Sequence, residues 1–152
     1  MSIEIRIENA KWRKMPRAFA PRLKRAVAAA LGRAGAPPNA SLTILLASDA
    51  ALKKLNSAFR GKPKPTNVLS FPAAPNGENY LGDVAIAHGV AAAEARAQGK
   101  SLSDHAVHLA VHGVLHLLGY DHTSNRQAKV MEPLETEILK SLGIADPYMR
   151  AA

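Results

Sequence analysis

The stretch His112-Gly-Val-Leu-His116-Leu-Leu-Gly119-Tyr-Asp-His122 constrains this chain more than any other. Residues four apart on a helix project one above the other from the same face. A helix through this region therefore lets His112 and His116 aim two imidazoles at one ion. Gly119, three residues on, is the residue type that most readily takes the left-handed conformation ending a helix. A chain that turns there can carry His122 back as a third ligand. Three neutral imidazoles with an open fourth position describe a catalytic zinc site, whereas structural zinc normally closes on four protein ligands. One histidine on an apolar helix is usually packed core, and a pair is often chance; three with a glycine at the turn are much harder to reach by accident. His105 and His108 lie upstream, His108 on the face of His112. Each is open between a supporting or substrate-contacting role and plain structure.

At 152 residues with 47% hydrophobic content, the chain suits a single domain spanning residues 1–152 and able to bury a core. It has no cysteine, which excludes a disulfide framework, a thiolate zinc site and a cysteine nucleophile. The N-terminus, Met1-Ser-Ile-Glu-Ile-Arg6, alternates and carries an acid, unlike a signal peptide. No apolar run approaches the roughly 18 residues of a membrane span, so a cytoplasmic protein without membrane contact is expected. The net charge of +8 is unevenly placed. Residues 1–64 hold 14 Lys/Arg against 3 Asp/Glu, and residues 65–152 hold 6 against 9. A solvated basic surface would look the same by charge alone. Combined with a hydrolytic metal site, the asymmetry directs the substrate towards nucleic acid. Aromatic residues are sparse, which argues against an extended stacking platform.

Along the chain, Ser2 to Glu8 alternates Ile3, Ile5 and Ile7 with polar residues, the period of a strand with one buried face. Pro16 and Pro21 bracket the start of a helix running to about Ala34, with Arg22, Lys24, Arg25 and Arg33 off its apolar side. Ser41 to Ala47 reads as a buried strand. Ser48 or Asp49 caps a helix over Ala50 to Phe59. Arg60-Gly-Lys62-Pro-Lys64-Pro is a basic, proline-stiffened loop leading to a short strand that Pro72 stops. Tyr80 to Ala87 is its hairpin partner, with Gly82 marking a bulge or a close backbone approach. A helix follows from His88 to Gln98. The metal helix comes next, capped by Ser101 or Ser103, and a last helix runs from about Arg126 to Ser141, capped by Thr123 or Ser124. Pro133 sits near its first turns and can delimit a short N-terminal piece. The class expected is α+β, or mixed α/β, in one domain.

The histidine spacing matches the HxxxHxxGxxH of the metzincin proteases except at Gly113, where those enzymes carry the water-activating glutamate. Without it, peptide hydrolysis lacks its general base. The stretch resembles more fully the signature of the YbeY family of metal-dependent endoribonucleases. Leu55-Asn56, Phe59-Arg60-Gly61 and Pro65-Thr66-Asn67-Val68-Leu69-Ser70-Phe71-Pro72 are similar to that family's middle signature, and Leu81-Gly82-Asp83 to its short strand motif. The resemblance covers about residues 52–122 in the expected order. It implies a mixed sheet of about four strands flanked by helices, with one zinc ion bound by His112, His116 and His122. It also implies a single-strand-specific endoribonuclease of ribosomal RNA maturation at the 16S 3′ end and of ribosome quality control, with Arg60 at the scissile phosphate. Arg22, Arg25, Lys62 and Lys64 would then hold RNA on the ribosomal subunit, with ribosome-associated proteins as further partners. A guanidinium is always charged and grips phosphate with a bidentate fork. Asp83 and Asp121 are the carboxylates nearest these motifs, and Asp121 can orient a ligand histidine. The rival readings are a non-catalytic RNA- or ribosome-binding factor with structural zinc, and a zinc peptidase.

Overall fold

The computed structural model describes residues 1–120, 125–145 and 147–148. Four strands, β1 (Ser2–Ile7), β2 (Ser41–Ala47), β3 (Val68–Pro72) and β4 (Tyr80–Ala87), form one sheet in the order β1-β2-β4-β3. β1 and β4 both pair parallel with β2, and β3 pairs antiparallel with β4 at the edge. Five helices accompany the sheet: α1 (Phe19–Arg33), α2 (Asp49–Arg60), α3 (His88–Ala97), α4 (Leu102–Leu117) and α5 (Asn125–Ser141). The architecture is the expected α+β domain with a mixed four-stranded sheet.

Strand alternation sends successive side chains to opposite faces, and here each face receives different helices. Leu42, Ile44, Leu46, Val84 and Ile86 join the main core with α1, α4 and α5. Ala47, Leu69, Ala85 and Ala87 face the other way and pack with Leu52 of α2. β2 and β4 are apolar on both faces for this reason, as parallel strands covered on both sides must be.

The helix ends follow from local chemistry. Ser48 Oγ accepts from the Ala51 amide at 3.1 Å and Ser101 Oγ from the Asp104 amide at 3.0 Å, so these serines, and not Asp49 or Ser103, are the caps. Arg60 is the last residue of α2 rather than the first of the loop; Gly61 ends the helix with φ +66°. Buried Asn56 then fastens the basic loop, its Nδ2 donating to the Lys64 carbonyl at 2.9 Å. α5 runs unbroken through Pro133, which lies past its first two turns and does not delimit a separate piece. Thr123 and Ser124, expected to cap it, lie outside the described residues.

α4 is the hub. Beyond its first turn every residue except the histidines is apolar, and it is buried around most of its circumference. A helix apolar on all sides belongs inside a fold. It packs on α1, α3 and α5 and lies across β3 and β4. Arg22 and Asp104, 82 residues apart, tie α1 to its first turn at 2.5 Å. Ser70 Oγ of the edge strand donates to the Gly113 carbonyl at 2.8 Å.

That contact explains Gly113. A Cβ there would stand 2.5 Å from Val84 Cγ1, 3.1 Å from Ser70 Oγ and 3.3 Å from Val68 Cγ2. Helix and sheet meet too closely for a side chain. Gly82 answers a similar demand in β4: its φ is +134°, and a Cβ would strike the Phe71 carbonyl. The β2–β4 register shifts at this point, since Ser41 faces Tyr80 while Thr43 faces Asp83. Replacing Gly113 with Ala overpacks this junction and should cost about 1–3 kcal/mol, read as a lower urea midpoint. An unchanged midpoint would show that α4 can lift off the sheet freely.

Candidate metal centre

Four histidines run along α4 as a stripe, at positions 105, 108, 112 and 116. Each lies three or four residues from the next, so all four rings share one side of the helix. An imidazole inside a fold needs polar partners, and along this stripe each ring has at least one nitrogen in a polar contact.

His105 is buried, and its Nε2 lies 2.9 Å from Glu94 Oε1 on α3. Burial lowers its pKa, and the Glu94 hydrogen bond only partly offsets that effect. Glu94 also accepts from Asn67 Nδ2 at 3.1 Å, which locks the start of β3 to α3. His105 thus takes the structural one of its two possible roles, as a brace among α3, α4 and β3. His108 turns to α5: its Nε2 lies 3.0 Å from Glu135 Oε2. His112 Nδ1 meets the other oxygen, Glu135 Oε1, at 2.7 Å. The opposite nitrogen of His112, Nε2, lies 3.0 Å from His116 Nε2, with the rings near perpendicular at 71°.

Glu135 has no solvent exposure, yet stays ionised. Burial by itself would raise its pKa. The hydrogen bonds from His108 and His112 and one from the Tyr148 hydroxyl at 2.6 Å outweigh that effect, bringing it from the usual 4.5 to about 2. A carboxylate can only accept, so the ring nitrogens facing it carry protons.

His108, His112 and Glu135 bring ligand atoms within 4.8 Å of one another, a group that can hold a metal ion. The nitrogens of His112 and His116 make a second convergence. At 3.0 Å they fall within the span of two zinc–nitrogen bonds of about 2.0–2.1 Å each. The two sets share His112 and differ in which of its nitrogens would face the ion. Direct hydrogen bonds already fill the Glu135 side. The His112–His116 side therefore fits an ion better, with Glu135 behind it as the carboxylate partner that metal-binding histidines usually have. His122, the expected third ligand, and Asp121 lie outside the described residues.

The remaining expected site residues fall in three places. Arg60, Lys62 and Lys64 are exposed at the end of α2 and in the loop after it, and Arg60 forms no ion pair among the described residues. Next to Arg60, Phe59 is 69% exposed, with its ring 5.1 Å from that of Phe71 on β3. On α1, Arg25 is exposed, whereas Arg22 is engaged by Asp104. Asp83 sits in β4, accepting from the Tyr80 hydroxyl, which also lies 2.7 Å from Thr43 Oγ1. It is a strand brace away from the histidine stripe.

Glu135 and Tyr148 are the residues that the sequence reading missed. The signal for Glu135 was present: Met131, Glu135 and Ile138 fall on one helical face, and both apolar members are fully buried. A charge in the middle of an apolar stripe calls for a partner. Because Glu135 is ionised in the native state below its unfolded pKa, its contribution to stability is complete above about pH 4.5 and lost as the pH falls towards about 2. In urea unfolding of the metal-free protein, the stability gap between the parent and Glu135→Gln should narrow across that window. A gap constant from pH 6 to pH 3 would contradict the assignment.

The profile of the family described as Endoribonuclease YbeY matches residues 5–143. A curated Endoribonuclease YbeY of Paramagnetospirillum magneticum is 51% identical over 143 residues, covering 88% of this chain and 87% of its own. The Chelativorans protein of that name is 49% identical over 131 residues, covering 83% and 80%. The Ruegeria pomeroyi one is 43% identical, covering 97% and 98%. Among solved structures, a solution structure of a Thermotoga maritima protein superposes with a TM-score of 0.62 at 24% identity, covering 97% of this chain and 99% of that one; it supports the fold. With the profile spanning nearly the whole chain and relatives near half identical, this protein belongs to the YbeY endoribonuclease family.

Proposed function

We propose that this protein is a zinc-dependent endoribonuclease that cuts single-stranded ribosomal RNA, acting at the 16S 3′ end in ribosome maturation and quality control. The observation that carries the reading is the convergence of His112 Nε2 and His116 Nε2 at 3.0 Å, with Glu135 engaging the far side of His112. His122 completes the ligand set in this reading. A divalent ion held there supplies Lewis-acid stabilisation of a phosphate oxygen.

The chain's own residues do the rest. Arg60 grips the scissile phosphate and meets the charge that grows in the transition state. The topology supports this role. Phe71 on β3 packs against Phe59, the neighbour of Arg60, while Ser70 bonds to Gly113, the neighbour of His112. The edge strand thus touches both the end of α2 and the histidine helix. Lys62 and Lys64, on a loop pinned by Asn56, extend the positive surface along the RNA backbone. Arg25 adds to it from α1; Arg22 contributes in part, since Asp104 already claims its charge. No helix of the described residues is long and apolar enough to cross a membrane. A cytoplasmic protein acting on a ribosomal subunit, with ribosome-associated proteins as possible co-factors in processing, completes the reading.

Peptidase chemistry is opposed by packing as well as by sequence. The position that must carry a glutamate has no room even for a methyl group. Purified parent, Arg60→Ala and His116→Ala proteins, prepared identically, should be compared on a single-stranded ribosomal RNA fragment. The parent should cut. His116→Ala should lose metal and cleavage together, and Arg60→Ala should keep the metal while kcat falls roughly 10²–10³-fold. Full cutting by a metal-free His116→Ala protein would overturn the metal role, and RNA binding without cutting by the parent would favour a binding factor.

A further inference from the structure

We infer that Glu135 is the positioning residue of the metal centre, fixing the ring and tautomer of His112, and that Tyr148, from the segment after α5, locks Glu135 in place. The inference rests on the metal reading above and concerns residues outside the three-histidine set.

The geometry is specific. One fully buried carboxylate meets three groups: His112 Nδ1 at 2.7 Å, His108 Nε2 at 3.0 Å and the Tyr148 hydroxyl at 2.6 Å. A neutral imidazole has one N–H donor and one lone pair. Donation from Nδ1 to Glu135 leaves the lone pair of His112 on Nε2, the atom that faces His116. In the other tautomer the same ring would present a proton where a lone pair is needed. The carboxylate also makes the imidazole a more basic ligand.

His108 and Tyr148 keep the carboxylate from swinging away. Both reach Oε2, while His112 meets Oε1. His108 Nδ1 has no hydrogen-bond partner among the described residues, consistent with Nε2 as its protonated nitrogen. The Tyr148 ring also stands edge-on to His108, with centroids 5.9 Å apart. Its approach is prepared by the end of α5, where Gly143 turns at φ +77° and the Ile144 amide bonds back to the Leu139 carbonyl at 2.9 Å. Residues from α4, α5 and the following segment thus converge on one carboxylate. A buried charge beside Met131, Ile138 and Leu139 carries a desolvation penalty that apolar residues replacing the whole Glu135–His108–His112–Tyr148 set would avoid. Its use is to aim a ligand.

The test measures zinc affinity by chelator competition on full-length parent, Glu135→Gln, Tyr148→Phe and His116→Ala proteins, beside the melting temperature of each metal-free form and the visible spectrum of its cobalt-substituted form. The parent should bind one zinc ion per chain. Glu135→Gln should bind it about 10–100-fold more weakly, with an altered cobalt spectrum, and Tyr148→Phe should weaken it several-fold. A purely structural carboxylate would lower the metal-free melting temperature and leave zinc affinity and the cobalt spectrum at parent values; that result overturns the inference while leaving the metal reading intact. Loss of all binding in Glu135→Gln with retention in His116→Ala would make the carboxylate a direct ligand and overturn it equally. No zinc bound by the parent would instead defeat the metal reading on which it rests. Should Glu135→Gln fail to fold, Tyr148→Phe, which keeps the carboxylate, decides by the same criteria.

Discussion

A buried helix whose only polar groups past its first turn are imidazoles sets the terms for the rest of this structure. α4 must be apolar to occupy the centre, yet its histidines cannot be left without partners there. The cost of an unsatisfied buried polar group, about 1–3 kcal/mol, is met by bringing carboxylates in from neighbouring helices. Glu94 arrives on α3 for His105, and Glu135 on α5 for His108 and His112. The positions of α3 and α5 around the hub are therefore fixed by electrostatics as well as by apolar packing. Both carboxylates reach further than their histidines: Glu94 takes Asn67 and so fixes the start of β3, and Glu135 takes Tyr148 and so fixes the segment after α5.

The edge strand carries the second constraint. β3 touches α4 through Ser70 and α2 through Phe71, adjacent residues pointing to opposite faces. Alternation along one strand thus places a helix bearing metal-type ligands and a helix ending in a basic loop on either side of a single exposed edge. Gly113 allows the first contact to be close. The glycine that removes a peptidase's general base is the same one that lets the histidine helix lie against β3. Packing and chemistry are decided by one missing Cβ.

Much of this was legible in the residues because it is local. The period-two pattern showed β1 and the apolar run showed β2, the serine caps and glycine stops set the helix limits to within a residue or two, and the spacing of four put His112 beside His116. What stayed hidden depends on long-range placement. Arg22 reads as one more cation on a basic helix until Asp104, 82 residues away, is seen against it. Glu135 has partners only once α5 is seen beside the histidine stripe, since His108 and His112 lie 27 and 23 residues before it. Pro133 reads as able to delimit a short N-terminal piece, whereas α5 continues through it with Met131, Ile138 and Leu139 buried. His105 and His108 could not be separated by sequence because both share the stripe; the carboxylate each one meets distinguishes them.

The arrangement also ties the order of the site to the order of the fold. His112 and His116 come from one helix and are set by its backbone alone, so their spacing costs nothing beyond forming α4. Their aim is another matter. An imidazole on a helix can rotate about χ2 and offer either nitrogen, and only a partner from elsewhere selects one. That partner lies 23 residues on, on another helix, and is itself held by a residue 13 further along. A ligand pair read from one helical turn is thus incomplete as a site until the last helix has docked. The same docking buries Met131, Ile138 and Leu139 against the hub. Burial of those side chains drives α5 into place, and the carboxylate travels with it. The hydrophobic effect, which has no direction of its own, is in this way converted into the orientation of a single ring.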